Sequence, residues 1–192
     1  MSAQPVTKII RTLDDLADKD RCLFTLSDLR GILPETRYGA FKTILCRAVK
    51  RGVLKRVCRG LYFYPQPDCE QGLLLFHAAA RLRAGEFNYI SLETALSDAG
   101  VISQAPMNWI TIVSSGRRNT MRCGKWGTIE FVHTSRKPSE LRDNLTYDAR
   151  CRMWRASVSL AMRDMRLTHR TMDLVNKEAA DELVRPSGVA GC

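Results

Sequence analysis

Along the first fifty residues, apolar side chains recur at steps of three and four. Val6, Ile9, Ile10, Leu13, Leu16 and Ala17 fall on one face, which predicts a helix that stops at Asp18. Cys22 to Phe24 is a short apolar run, read as a strand. Thr25 with Asp28 three residues later has the pattern of a capping box, opening a second helix with Leu26, Leu29, Ile32 and Leu33 towards the core. Gly31 weakens its end and Pro34 starts a turn, after which Thr36 is placed to cap a third helix that Gly52 ends. Helical spacing puts Tyr38, Phe41, Ile44, Leu45, Ala48 and Val49 on one side of this third helix. The opposite side carries Gly39, Ala40, Thr43, Cys46, Arg47 and Lys50. Val53 to Val57 and Leu61 to Tyr64 are β-rich and joined around Cys58, Arg59 and Gly60, so a hairpin follows directly.

Beyond the kinked junction Pro65, Pro67 and Asp68, the pattern changes. Leu73, Leu74, Phe76, His77, Ala80 and Leu82 predict a mostly buried helix, with His77 a packed residue rather than a ligand. Tyr89 to Ser91 is extended, and Ser91 can cap a helix ending near Gly100. Trp109 to Val113 and Thr128 to Val132 read as paired strands with a loop, Ser114 to Gly127, between them. A long helix is expected from Tyr147 to Arg166, another from Arg170 to Leu183, and a flexible tail after that. The expected fold is α+β: a winged helix-turn-helix over residues 1–66, a mixed α/β domain over 67–185 with a small sheet and C-terminal helices, and a tail over 186–192.

Charge sharpens this picture. Residues 1–66 hold 13 Lys and Arg against 6 Asp and Glu, and so carry most of the chain's net +10. From Thr36 to Pro67 there is no acidic residue at all, which is an electrostatic footprint for phosphate. Small, polar and basic residues on one side of the third helix let its backbone approach a major groove while Thr and the cations reach base edges and phosphates. The sequence therefore nominates Arg37, Gly39, Ala40, Lys42, Thr43, Arg47 and Lys50 on or beside the helix, with Lys55, Arg56 and Arg59 on the hairpin, for contact with double-stranded DNA. A second basic surface, Arg117, Arg118, Arg122 and Lys125, lies in the expected loop; it suits phosphate or RNA, or simply solvent.

Other chemistry is thin. The seven cysteines are odd in number and lack C-x-x-C spacing, so reduced thiols are expected, with neither a disulfide framework nor a zinc site. There is no phosphate loop, nucleophile elbow or metalloprotease motif, and Glu93, Asp98 and Glu130 are spaced like surface residues. A nuclease built on Asp98 and Glu130 would lack a lysine close after Glu130. No catalytic residue, metal or cofactor is expected. Without an apolar run of about 18 residues or an export signal, the expected location is the cytoplasm, with no membrane partner.

Three segments carry a family resemblance: Gly52 to Pro65 (GVLKRVCRGLYFYP), Tyr89 to Leu96 (YISLETAL) and Thr111 to Arg118 (TIVSSGRR). The first resembles the end of the winged domain of the AbiEi family, antitoxins of type IV toxin-antitoxin systems. The others are similar to the opening strand and helix, and the next strand and basic turn, of that family's second domain. The resemblance implies a protein that represses its own operon, recognises repeated operator half-sites, and counteracts a nucleotidyltransferase-type toxin without needing to grip it. The alternatives are a plain winged-helix transcription factor of a mobile element and an RNA-binding accessory protein.

Overall fold

The computed structural model describes residues 5–18, 21–65, 69, 71–103 and 108–184, and over these the protein is α+β. The chain divides into two compact units, residues 1–82 and 83–192. The tail expected over 186–192, like Pro67 and Asp68 of the expected junction, lies outside the described residues.

In the first unit, α1 (Pro5–Leu16) turns Val6, Ile9 and Leu13 inward. After β1 (Leu23–Thr25), helix α2 (Leu26–Ile32) opens with the anticipated capping box: the Asp28 N–H donates to Thr25 Oγ1 at 3.1 Å and the Thr25 N–H to Asp28 Oδ2 at 2.7 Å. Arg30 shapes the next turn, donating to the Leu33 and Pro34 carbonyls at 2.5 and 3.0 Å while its guanidinium lies over the Phe41 ring. Helix α3 (Tyr38–Lys50) follows. Thr36 is not its cap; Arg37 occupies that position and makes no side-chain capping bond. Gly52 ends the helix region at φ +75°, a left-handed conformation that glycine adopts without the penalty of a Cβ.

The hairpin is β2 (Lys55–Cys58) and β3 (Leu61–Phe63), with Arg59 and Gly60 (φ +83°) in the turn and a register irregularity between Arg56 and Cys58. Antiparallel pairing of β1 with β3 completes a three-stranded sheet, β1-β3-β2. Tyr64 donates its hydroxyl to Asp14 Oδ1 at 2.6 Å, tying the end of β3 to α1; burial first, then that carboxylate, pushes its phenol up to about 12. Phe24, Leu29, Phe41, Leu45 and Leu54 lie at the centre of the core the helices share.

Helix α4 (Leu74–Leu82) belongs to this unit rather than to the next. It packs on β1, burying Leu74, Leu75, Ala78 and Ala79, and its Arg81 forms an ion pair with Asp28. Burial acts upward on Asp28, but the Thr25 bonds and the Arg81 charge outweigh it and hold the carboxyl below its ordinary range. The buried face is shifted from the expected one, since Phe76, His77, Ala80 and Leu82 are only half-buried. A Cys22–Cys69 disulfide joins the start of β1 to the approach to α4. This corrects the expectation of reduced thiols: two cysteines remote in sequence meet because α4 returns to β1.

The second unit is built on a six-stranded mixed sheet of order β6-β7-β5-β4-β9-β8. Its members are β4 (Asn88–Ile90), β5 (Trp109–Ser114), β6 (Asn119–Arg122), β7 (Thr128–His133), β8 (Leu145–Asp148) and β9 (Met153–Ala156). Strands β5 and β7 pair in parallel, as do β4 and β9; the other pairs are antiparallel. The helices are α5 (Leu92–Asp98), the short α6 (Pro138–Leu141), α7 (Val158–Leu167) and α8 (Lys177–Val184). Two expectations fail here. The segment between β5 and β7 contains strand β6, and residues 147–156 form a β-hairpin in place of the first half of a long helix. Asp148 Oδ1 accepts from the Arg150 and Cys151 N–H groups to make the turn, Arg152 is left-handed at φ +55°, and Ser157 caps α7 through the Leu160 N–H. The last helix begins at Lys177, later than expected.

Buried polar groups pin this unit together. Asp164 of α7, 1% exposed, accepts from Ser91 Oγ at 2.6 Å and the Tyr89 hydroxyl at 3.1 Å, and pairs with Arg136. Ser91, expected to cap α5, thus spends its hydroxyl elsewhere. Arg155 bridges Asp98 and Asp148. Desolvation acts upward on Asp148, but the Arg155 and Cys151 hydrogen bonds prevail and bring it down to about 2, whereas burial pushes the Cys151 thiol up to about 11.

Reducing the Cys22–Cys69 bridge is expected to cost about 2–4 kcal/mol, given the 47-residue separation it closes, and urea titration with and without a thiol reductant measures it. Asp148→Asn should lower stability by about 2 kcal/mol at neutral pH. Because the folded-state value lies below the ordinary 3.8, that contribution is complete above pH 3.8 and is lost as pH falls to about 2. Melting curves of variant and parent should therefore converge across that window.

Candidate nucleic-acid interface

The apolar side of α3 fixes which residues the other side can offer. Phe41, Ile44, Leu45 and Ala48 are buried against the rest of the first unit, which leaves Gly39, Ala40, Thr43, Cys46, Arg47 and Lys50 exposed. Arg37, Lys42, Lys55, Arg56 and Arg59 are exposed as well, so all ten residues nominated from sequence are accessible. Among the described residues none of their cations enters an ion pair. Thr43 donates to the Gly39 carbonyl at 3.2 Å, which keeps its hydroxyl oxygen as an acceptor, and Arg56 Nε donates to the Cys58 carbonyl at 3.3 Å. Arg47 and Lys50 stand in the last turn of α3, where positive charge also suits the helix dipole by about 0.3–1 kcal/mol.

Between α3 and the hairpin runs an open groove of about 730 Å³. Tyr38, Lys42 and Cys46 line it from the helix; Arg56, Arg59 and Tyr62 line it from the hairpin and its turn. Tyr38 departs from its expected place on the core side: it is 53% exposed, with the Lys42 ammonium 4.4 Å from its ring centroid. At the first turn of the helix an apolar position has no neighbouring element to cover it, which the periodicity alone does not reveal. Arg51, just past α3, adds another exposed cation.

The second basic set is arranged differently. Arg117, Arg118, Arg122 and Lys125 are all exposed, but they string along the edge strand β6 and its flanks. Arg118 lies 3.5 Å from Glu130, Lys125 lies over the Trp126 ring, and the Arg117 carbonyl accepts from Arg83.

Two of the three acidic residues are corrected too. Glu130 is buried and held by Arg170 Nη2 at 2.6 Å, while Arg170 Nη1 donates to Glu93 at 3.0 Å. Asp98 is engaged by Arg155. Glu93 and Glu130 are thus committed to an arginine that ties elements together instead of standing on the surface, whereas Asp98 is exposed as its spacing suggests. Among the described residues, no group of three or more His, Cys, Asp or Glu side chains is placed to hold a metal ion, and no helix is long and apolar enough to cross a membrane.

No curated protein matches the chain. A protein-family model does match, over residues 34–148, a stretch that takes in α3, the hairpin, α4 and the sheet from β4 through β8. With more than half its length inside that match, the chain belongs to DUF6088, a family of unknown function.

Proposed function

We propose that the first unit is a winged helix-turn-helix that binds double-stranded DNA, with α3 in the major groove and the β2–β3 hairpin as the wing. The observation that carries this reading is the pairing of accessibility with charge. Ten nominated residues are exposed across one helix and the hairpin that follows it, no carboxylate among the described residues takes up their cations, and the stretch from Thr36 to Pro67 contains none of its own. Gly39 and Ala40 let the helix backbone come close, Thr43 and Arg47 reach base edges, and Arg37, Lys42, Lys50, Lys55, Arg56 and Arg59 hold phosphates.

From the AbiEi resemblance of the three segments quoted above, the proposal extends to an autorepressor in the cytoplasm. It reads repeated half-sites in its own operator and acts as the antitoxin to a nucleotidyltransferase-type toxin. Support for that extension is the order of those segments: the hairpin, then β4 with α5, then β5 with its basic turn, as in a winged domain followed by a second domain.

Replacing Arg47 and Lys50 together by Ala should weaken binding to the upstream DNA of its own gene. It should also flatten the salt dependence, with the log–log slope falling by about 0.9 for each phosphate that is no longer neutralised. Gel shifts across a salt series read both effects, and an unchanged slope would remove α3 from the interface. For the antitoxin half, co-expression with the adjacent gene should relieve that gene's toxicity in a growth assay. Unrelieved toxicity leaves a DNA-binding regulator only.

A further inference from the structure

The second basic surface has no part in the duplex interface, and its place in the sheet is specific. Strand β6 is an outer strand, paired with β7 on one side only. The Cys123 N–H donates to the Gly127 carbonyl at 2.7 Å, one step beyond the Arg122–Thr128 pair, whereas the Thr128 N–H turns the other way, to the Asn108 carbonyl at 2.8 Å. Antiparallel alternation therefore directs the main-chain groups of Asn119 and Met121 towards β7 and those of Thr120 and Arg122 outwards. Among the described residues no backbone group bonds to that outer side. An open row of N–H and C=O groups is a template for one more strand.

The side chains along the row say what that strand carries. The sequence holds no Asp or Glu between Asp98 and Glu130, and Arg117, Arg118, Arg122 and Lys125 are all exposed. Arg117, Arg122 and Lys125 enter no ion pair among the described residues; Arg118 is the looser of two arginines on Glu130, at 3.5 Å against 2.6 Å for Arg170. Glu86 stands at the turn before Arg117, but Arg83 lies beside it against Gly116 and offsets its charge. Arg118 and Arg122 share a face of the strand about 13 Å apart, so carboxylates four positions apart on an added strand meet both.

Other occupants fit less well. A second copy pairing antiparallel about Thr120 would set Arg118 against Arg122, like charges directly opposite. A nucleic acid would satisfy the cations but bring its phosphates against the outward carbonyls of Thr120 and Arg122. A peptide strand supplies donors and acceptors alike.

We infer that the β6 edge is a docking site for an extended acidic segment of a partner protein, which adds to the sheet as a seventh strand and places its carboxylates on Arg118 and Arg122. This surface is separate from α3 and does not rest on the duplex-binding reading.

The test uses the full chain and a fluorescein-labelled, acetylated peptide, Asp-Glu-Val-Thr-Val-Glu-Asp. Anisotropy should show saturable binding below about 1 mM. Amide hydrogen exchange at Thr120 and Arg122 should slow at least tenfold with peptide bound. Arg118→Glu and Arg122→Glu should each weaken binding by roughly fivefold or more. Thr120→Pro removes one outward N–H, which an edge strand tolerates, and should weaken binding by roughly threefold to tenfold with little change in melting. Should that variant unfold, the same peptide methylated on its Val, Thr and Val backbone nitrogens tests the parent, and it should not bind. Absence of binding by the parent peptide would overturn the site. So would binding that survives peptide methylation, or bound peptide without protection of Thr120 and Arg122. Oligo-uridine that binds in the peptide's place and depends on the same arginines would assign the surface to RNA instead.

Discussion

The burial of Phe41, Ile44, Leu45 and Ala48 decides which way α3 faces, and the proposed interface depends on that orientation. Rotating the helix would bring Arg47 and Lys50 towards the core and expose the apolar side chains, a double penalty of desolvated charge and forfeited burial. The stack of α1 and α2 therefore acts on function indirectly: it holds one side of a helix so firmly that the other side is presented in a fixed array. Arg30, reaching over the Phe41 ring to the carbonyls of the turn, sets where that helix begins.

The two units treat arginine in opposite ways. In the second, Arg136, Arg155 and Arg170 are drawn inward onto Asp164, Asp98, Asp148, Glu93 and Glu130. Each joins segments far apart in the chain, and taking the arginine away from a buried carboxylate such as Asp164 or Glu130 strands a charge at a cost of about 3–5 kcal/mol. In the first, no acidic neighbour among the described residues claims the cations of α3 and the hairpin. Similar basic composition thus serves cohesion in one unit and availability in the other, which net charge alone does not distinguish.

Local chemistry was the legible part of the sequence. The Thr25–Asp28 box, the two-sided α3 and the turn at Arg59 and Gly60 each depend on residues within a few positions of one another, and the ten nominated residues all lie on such local elements. What escaped depends on distant partners. The Cys22–Cys69 bridge, the return of α4 to β1, and the commitment of Glu130 to Arg170 require contacts across tens of residues. The β8–β9 hairpin is an intermediate case. Met153, Ala156, Leu160 and Met165 fit a helical spacing taken together, yet the Asp148 turn and the Ser157 cap were both written locally and mark the break between strand and helix.

The parallel pairing of β4 with β9 has a consequence for how the chain acquires its shape. Tyr89 finds its register partner at Trp154, so a strand in the middle of the larger sheet waits for some 65 further residues before its second neighbour exists. The described strands and helices of the first unit, by contrast, have all been synthesised by Leu82. Contacts of such unequal range form at unequal speeds, the nearer ones first. On a ribosome the two halves would mature in sequence, the smaller sheet complete before the first strand of the larger one is translated.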